Sequence, residues 1–348
     1  MDCTVQKAVA LAPLTTLQVG GTAETYVRVT DEQTLVAAVQ YASDNQLPIT
    51  ILGGGSNVLI PDAGVSGLVI HNAMTEYSVE ISDDEVLVTA GAGETLDAVI
   101  EKTVAEGWWG LENLSHIPGS VGATPVQNVG AYGVEVADVI ASVRVYDVLT
   151  NTFLTFSVAD CAFGYRDSLF KQTDGKRYIV TAVTYRLSKT AAPKLEYRDL
   201  TTAFPDGCTD QAAIRSAVIA IRAKKFPDWN TVGTAGSFFK NPVIPKSQYA
   251  ALCTTYPELP AFPVSDTAVK VPLGYILDKI LGYKGKGTDT VGTYAGQALV
   301  LINKGGATAA DIVAFADEIT TTVAEQLAID IEWEVTQIQH SLALKIDL

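Results

Sequence analysis

The alternation of apolar and polar residues predicts a strand–helix–strand unit near the start of the chain. Residues 24–29 alternate as a strand does. Residues 31–45 place Leu35, Val36 and Val39 on one face of a helix, with Thr30 or Asp31 as its cap. Residues 47–52 form the next strand, which runs directly into a glycine turn. This β–α–β pattern favours a small unit that cradles a nucleotide.

The same patterns predict alternating strands and helices through the middle of the chain. We expect strands at 65–71, 77–90 and 178–187, a hairpin of 138–147 with 152–158, and helices at 94–106 and 210–225. Gly107 is placed to end the first of these helices, and Pro227 ends the second. A domain boundary is therefore expected near residue 226.

The last third predicts two helices and two strands. Pro272 opens a short helix over 272–281, and residues 297–303 have the composition of a buried strand. Thr308 and Asp311 form a capping pair for a helix that runs to Leu327. A closing strand over 329–338 is expected to place Glu332 and Glu334 on the same face.

Two glycine-rich segments interrupt these patterns. Residues 111–135 are too rich in glycine for a helix interior and too apolar for a solvated loop. Residues 53–57, Gly-Gly-Gly-Ser-Asn, follow a strand and expose amide groups that suit a pyrophosphate. The turn is not the dinucleotide fingerprint G-x-G-x-x-G, and residues 111–135 also fit a tight connection between packed elements.

Length and charge narrow the class of protein. A chain of 348 residues exceeds one typical domain, and 48% hydrophobic residues are ample for a core. The net charge of −15 argues against nucleic acid or an anionic membrane as a partner, since both require a basic surface.

Cysteine, histidine and the N-terminal residues suggest a cytoplasmic protein without a metal. The four cysteines include no C-x-x-C pair, which favours reduced thiols. His71, His116 and His340 lack the spacing of metal ligands. The first residues lack the features of a signal peptide, and no run of 18 apolar residues predicts a membrane helix.

Seven motifs in order resemble the UDP-N-acetylenolpyruvoylglucosamine reductases, in their longer form with a tyrosine-bearing loop. They read LGGGSN, IPGSVGATPVQNVGAYG, GYRDSLFK, KFPD, GSFFKNP, QALVLIN and EWEV, within the span from Leu17 to Val335. The resemblance implies an α+β fold with a PCMH-type FAD-binding region of two small α+β subdomains and a C-terminal α+β substrate domain. The expected divisions are 1–74 with the returning tail 331–348, 75–226, and 227–330.

The resemblance also implies a reaction. NADPH reduces noncovalently bound FAD, which then reduces UDP-N-acetylglucosamine enolpyruvate to UDP-N-acetylmuramate, a precursor of peptidoglycan. A hydride reaches the enolpyruvyl β-carbon and a proton reaches the α-carbon. The expected form is a monomer. Such a cofactor performs the hydride chemistry, while the protein supplies placement and charge.

The family motifs assign the site residues. Arg166 matches the arginine near the substrate carboxylate, Ser237 the proton donor, and Glu334 the glutamate that stabilises the enol intermediate with them, with Glu332 as a nearby alternative. The residues that match contacts to the UDP-sugar are Tyr197, Lys225, Asn241 and Gln297. The residues expected to hold FAD are Gly53, Gly54, Gly55, Ser56, Asn57, Ile117, Pro118, Gly119, Ser120, Gly122, Ala123 and Gly133.

Two positions depart from the family pattern. His116 stands where an apolar residue is usual and is expected to pack rather than touch the flavin, while Trp229 stands where proline is usual.

Two other functions are alternatives to the reductase. One alternative is another PCMH-type flavin oxidoreductase, such as a sugar or hydroxy-acid oxidase. The other is a nucleotide-binding module without catalysis. GSFFKNP and the late glutamate favour the reductase.

Overall fold

A four-stranded sheet forms the first part of the computed structural model, which describes residues 3–339. Its strands are β1 (Gln6–Ala10), β2 (Thr22–Val29), β3 (Ile49–Leu52) and β5 (Val65–Asn72), in the order β1-β2-β5-β3, with β4 (Val58–Leu59) outside the sheet. β5 runs parallel to β2 and β3, so helix α1 (Glu32–Asp44) makes the crossover between β2 and β3. Asp31 caps α1 by accepting from the Thr34 amide at 2.7 Å, which confirms the predicted start.

A five-stranded antiparallel sheet follows. Its strands are β6 (Tyr77–Ile81), β7 (Glu85–Gly91), β10 (Ile140–Asp147), β11 (Thr152–Ser157) and β12 (Tyr178–Ser188), in the order β11-β10-β12-β7-β6. The single strand predicted over 77–90 is wrong, because it is a hairpin. Its turn is closed by the Ser82 amide, which donates to the Glu85 carbonyl at 3.0 Å.

Four helices and the glycine-rich segment 111–135 accompany this second sheet; the first helix and part of the segment share the core of the sheet, and the last two helices pack around Trp109 and Tyr132. The helices are α2 (Leu96–Ala105), α3 (Ala123–Gln127), α4 (Arg198–Ala203) and α5 (Gln211–Lys225). The short strands β8 (Gly130–Ala131) and β9 (Val134–Glu135) lie in the glycine-rich segment. Gly107 follows α2 with φ +72°, and Pro227 follows α5, as the sequence predicted.

Two three-stranded sheets form the C-terminal part. One has the order β13-β18-β17 and the other β14-β16-β15. Their bounds are β13 (Gly233–Ser237), β14 (Val243–Pro245), β15 (Phe262–Pro263), β16 (Ala268–Lys270), β17 (Val291–Thr293) and β18 (Val300–Asn303). The strand predicted over 297–303 starts only at Val300, because its amide turns back to the Gln297 carbonyl at 3.1 Å.

Three helices accompany these sheets. They are α6 (Lys246–Thr255), α7 (Leu273–Tyr275), which continues as a π-helical turn over Ile276–Ile280, and α8 (Ala309–Leu327). The capping pair predicted for α8 is present: the Thr308 hydroxyl accepts from the Asp311 amide at 3.0 Å, and the Asp311 carboxylate accepts from the Thr308 amide at 2.9 Å. Part of this helix buries Ile312, Phe315 and Ile319 in the C-terminal core.

The end of the chain returns to the first part, but not as the predicted strand over 329–338. Only β19 (Thr336–Gln337) is regular, and it pairs in parallel with β4. The residues before it run beside 238–240, where the Glu334 amide donates to the Phe238 carbonyl at 2.8 Å. The part of the tail from residue 340, including His340, lies outside the described residues.

Within residues 3–339, no helix is long and apolar enough to cross a membrane. The same residues contain no cluster of His, Cys, Asp or Glu that could hold a metal ion.

The first unit and the last helix are joined at Asp62. Its carboxylate accepts from the Ala309 and Ala310 amides at 2.8 and 2.9 Å, at the start of α8. Amides in the first turn of a helix have no partner within the helix, and a carboxylate there also meets the positive end of the helix dipole.

We expect Asp62→Ala to lower the free energy of unfolding by about 1 kcal/mol, as the loss of a helix cap does. Equilibrium urea unfolding at matched flavin content measures this. Asp83→Ala, in an exposed turn, is the control and should stay within about 0.5 kcal/mol of the unsubstituted protein. Equal urea midpoints for Asp62→Ala and the unsubstituted protein would show that the contact contributes nothing.

Candidate active site

The two glycine-rich segments predicted to hold a cofactor lie against each other. The Gly54 amide donates to the Ser120 hydroxyl at 3.2 Å, and the Ser56 hydroxyl donates to the Pro118 carbonyl at 3.1 Å. A Cβ atom on Gly54 would lie 2.9 Å from the Gly119 Cα, closer than real Cβ atoms come. Glycine therefore permits the approach of the two segments.

Free amides line the turn that follows β3. Among the described residues, no protein acceptor takes a hydrogen bond from the amides of Gly53, Gly55 or Ser56. Gly55 has φ +62°, so the turn includes the left-handed conformation that helps neighbouring amides converge on an anion. These groups fit the pyrophosphate of a dinucleotide such as FAD.

The remaining predicted cofactor residues lie in different settings. Ile117 is half-buried, and Ala123 begins α3. Gly122 packs on the core, because a Cβ atom there would lie 2.5 Å from the Ala92 Cβ. Gly133, with φ +85°, lies near Tyr197, since a Cβ atom on Gly133 would be 3.9 Å from the Tyr197 Cβ.

Asn57 points in another direction from the rest of its turn. Its amide nitrogen donates to the Glu334 carbonyl at 3.1 Å. The turn after β3 is therefore tied to the returning segment of the chain, next to a predicted catalytic residue. Sequence patterns gave no sign of this contact, which joins two distant parts of the chain.

Arg166 and Glu334 form an ion pair, although they are far apart in sequence. The Arg166 Nε lies 2.9 Å from the Glu334 Oε1, as a close charge contact without the alignment of a hydrogen bond. The Arg166 Nη2 also donates to the Gly130 carbonyl at 3.0 Å. Only 22% and 14% of the two side chains are exposed, so their attraction is less screened than that of a surface pair.

Ser237 lies near the Arg166–Glu334 ion pair, because the next residue in the chain is hydrogen-bonded to Glu334. It ends β13, and the next carbonyl, that of Phe238, accepts from the Glu334 amide at 2.8 Å. A Cβ atom on Gly236 would meet no atom within 4 Å, so open space adjoins Ser237. The structure thus brings the segments of all three predicted catalytic residues together. Glu332 instead pairs with Lys240 at 2.8 Å and is 76% exposed, so the two glutamates do not share the single face that the sequence predicted.

Tyr197 and Lys225 form a second cluster. The Tyr197 ring stands edge-on to Tyr132 at 5.2 Å and is 43% exposed. Lys225 forms an ion pair with Asp199, in the first turn of α4. Its ammonium lies 5.8 Å from the Tyr132 ring centre and 5.9 Å from that of Tyr197. These contacts place Lys225 beside the tyrosine segment.

Asn241 and Gln297 both lie at the start of α7, against neighbouring residues of that helix. The Asn241 Oδ1 accepts from the Leu273 amide at 2.9 Å. Gln297 lies so close to Gly274 that a Cβ there would be 2.8 Å from its Oε1. Tyr165 lies near Asn241, and burial around its hydroxyl raises its pKa although 42% of the residue is exposed.

Sequence reasoning missed several residues of the site. Tyr165 and Lys171 lie inside the motif GYRDSLFK, which was the available signal. No sequence pattern indicated Arg222, a buried arginine whose Nε donates to the His116 carbonyl at 2.9 Å. Burial lowers the pKa of Arg222.

The two positions that depart from the family pattern contact each other. The His116 and Trp229 rings lie 4.6 Å apart at 44°. Burial also lowers the pKa of His116. His116 therefore packs against Trp229, consistent with the packing role that the sequence favoured.

Two known protein families match this chain and define its class. Residues 23–156 match an FAD binding domain, and residues 228–338 match the UDP-N-acetylenolpyruvoylglucosamine reductase C-terminal domain. The fold and these matches define an FAD-binding flavoprotein of α+β architecture, as predicted.

Relatives that match nearly the whole chain show which family it belongs to. A UDP-N-acetylenolpyruvoylglucosamine reductase from Cupriavidus pinatubonensis is 44% identical over 87% of this chain and 90% of its own. The one from Bdellovibrio bacteriovorus is 40% identical over 95% and 98%. A crystal structure of the reductase from Thermus caldophilus, 25% identical, matches 97% of this chain and 100% of its own with a TM-score of 0.69. The chain belongs to the UDP-N-acetylenolpyruvoylglucosamine reductase family.

The glycine contact predicts the effect of Gly54→Val. The added side chain must push Gly119 and Ser120 away, and overpacking of this kind costs about 1–3 kcal/mol. We expect FAD binding to weaken about ten- to a hundredfold, while far-UV circular dichroism stays unchanged. FAD titration of the apoprotein measures the affinity.

Gly207→Asn is the matched control, because Gly207 has φ +83°, a conformation that asparagine tolerates, and nothing lies near it. It should bind FAD normally. A folded Gly54→Val protein with the flavin affinity of the unsubstituted protein would show that this turn does not hold FAD.

Proposed function

We propose that the protein reduces UDP-N-acetylglucosamine enolpyruvate to UDP-N-acetylmuramate with NADPH, through FAD, in the synthesis of peptidoglycan precursors. The observation that supports this most is the Arg166–Glu334 pair, which lies beside the Ser237 segment and is tied to the glycine turn through Asn57. The relatives that match most of the chain have the name of this reaction.

The paired glycine segments would hold FAD noncovalently. The amides of Gly53, Gly55 and Ser56 would bind the pyrophosphate, and residues 117–123 with Gly133 would complete the cradle. When bound and reduced by NADPH, FAD supplies a hydride for the enolpyruvyl β-carbon.

Arg166 would bind the substrate carboxylate. As hydride arrives at the β-carbon, negative charge spreads from the α-carbon onto that carboxylate. A guanidinium stays charged and can hold a carboxylate with two hydrogen bonds. Glu334 and the Gly130 carbonyl fix the direction of the guanidinium before the substrate arrives.

Ser237 would donate the proton to the α-carbon. A serine hydroxyl is a weak acid, so it can act only on a strongly basic intermediate held at close range. The open space beside Gly236 leaves room for the substrate there. Glu334, whose backbone is bonded to Phe238, would keep the serine segment and Arg166 in register.

The UDP-sugar would contact the residues around the opening. Tyr197 would close over the diphosphate, and the phosphate oxygens would compete with Asp199 for Lys225. Asn241 and Gln297 would bind the same ligand at the start of α7. The exposure of the Tyr197 ring supports a role at the entrance.

The proposal includes an organisation and a location. The chain would divide into FAD-binding parts at 1–74 with the returning tail, and 75–226, and a substrate part at 227–330. It would act in the cytoplasm as a monomer, and its product would support cell-wall growth, cell shape and division.

Anaerobic stopped-flow absorbance tests the function and the role of Ser237 together. In the unsubstituted protein, NADPH should bleach the flavin and the enolpyruvyl substrate should restore its colour. In Ser237→Ala, bleaching should be nearly unchanged, because no proton reaches the sugar in that step. Restoration should slow about 10²–10⁴-fold, the usual contribution of a positioned proton donor.

Ser247→Ala is the control, because Ser247 is exposed at the start of α6. Restoration in Ser237→Ala at the unsubstituted rate would mean that another group donates the proton. Failure of the unsubstituted protein to respond to the substrate, with rapid oxygen consumption on a sugar alcohol instead, would favour an oxidase.

A further inference from the structure

Lys171 is a half-buried lysine at the corner that holds Arg166 and Glu334. Its ammonium donates to the Arg166 carbonyl at 2.9 Å and to the Gln127 Oε1 at 3.2 Å. Among the described residues, no carboxylate lies within ion-pair distance of it. Burial, helped by the nearby charge of Lys240, lowers the pKa of Lys171. The charges of Asp167 and Glu334 oppose this shift. Burial of an ammonium is unfavourable unless hydrogen bonds and opposite charges compensate for the lost water, so the two hydrogen bonds of Lys171 decide where it sits.

One bond of Lys171 acts on a strained residue. Arg166 has φ +53°, in a turn where Gly164 and Asp167 bond to each other through both of their amides. Residues other than glycine lose about 1–2 kcal/mol in this left-handed conformation. The backbone of Arg166 is therefore held in place by its surroundings, and Lys171 binds its carbonyl directly.

The other bond of Lys171 leads to Glu334. Gln127 accepts from Lys171 through its Oε1, and its Nε2 lies 3.4 Å from the Glu334 carbonyl in a long hydrogen bond. Lys171 is thus connected to both members of the ion pair. It hydrogen-bonds to the Arg166 carbonyl directly and is linked to the Glu334 carbonyl through the side-chain amide of Gln127.

Docking of the neighbouring segments does not depend on Lys171. The Ser168 hydroxyl donates to the Val126 carbonyl at 2.8 Å, and the Asn128 side chain donates to the Gly164 carbonyl at 2.9 Å. These bonds already join 126–130 to 164–168. Removal of the ammonium should therefore leave the fold intact and change the placement of Arg166.

We propose that Lys171 is a positioning residue, which fixes the Arg166–Glu334 pair for the substrate carboxylate. This inference rests on the proposed function. Lys171 acts through Arg166 and does not itself need to touch the substrate.

The test compares Lys171→Met, Lys171→Arg and the control Lys176→Met, whose lysine is exposed. Calorimetry measures substrate binding to the oxidised, flavin-loaded protein, and turnover is expressed per bound flavin. We expect Lys171→Met to lower kcat about 10- to 100-fold, to weaken substrate binding, and to leave flavin content and reduction by NADPH unchanged. Lys171→Arg, which keeps charge and donors, should recover part of kcat.

A double substitution separates positioning from an independent effect. In an Arg166→Met background, Lys171→Met should reduce kcat by less than about threefold further, because the group through which it acts is gone. Multiplication of the two single losses would overturn the proposal. So would an unchanged kcat and affinity in Lys171→Met, or a loss that follows lost flavin.

The proposal and the proposed function fail in different ways. An unsubstituted protein that neither binds nor reduces the enolpyruvyl substrate would overturn the function and this inference with it. An active unsubstituted protein that Lys171→Met matches would overturn the role of Lys171 alone.

Discussion

The ion pair between Arg166 and Glu334 is the contact on which the arrangement of the site depends. It joins a turn beside the second sheet to the segment that returns from the C-terminal part. Asn57 and Phe238 bond to the backbone of Glu334 from two other parts of the chain. The glycine turn at 53–57, the turn that holds Arg166 and the strand that ends at Ser237 are therefore all connected to Glu334, directly or through a neighbouring residue.

This pair is better explained by binding than by stability. Moving two charges out of water is unfavourable, and their attraction offsets that loss only when the remaining donors and acceptors are also satisfied. Arg166 is additionally in a left-handed conformation, and Lys171 brings another positive charge close to it. A half-buried guanidinium whose direction is already fixed suits an anion that arrives later, such as a substrate carboxylate.

Sequence patterns predicted the elements whose signals are local. The cap at Asp31, the glycine after α2 and the capping pair at Thr308 gave helix ends within about two residues of those observed, since each signal involves neighbours on the same turn. The closing strand failed. Ile329, Ile331 and Val335 are buried as its alternation indicated, yet the pairing with 238–240 is a single bridge between Phe239 and Trp333 and does not extend into a ladder.

The site shows the same division. Motifs selected Arg166, Ser237 and Glu334 by resemblance, because each lies in a distinctive run of residues. The contacts that set their geometry join distant segments, and no local pattern reports them. The left-handed Arg166, the two bonds of Lys171 and the packing of His116 on Trp229 became visible only in three dimensions.

A crystal structure of the protein with FAD and UDP-N-acetylglucosamine enolpyruvate would show whether the Arg166–Glu334 pair binds the substrate carboxylate. We expect the substrate carboxylate to lie within hydrogen-bond distance of the Arg166 guanidinium, with the Ser237 hydroxyl facing the α-carbon and Glu334 still beside Arg166. A carboxylate bound elsewhere, for example at Lys225 or Lys240, with Ser237 far from the α-carbon, would contradict it.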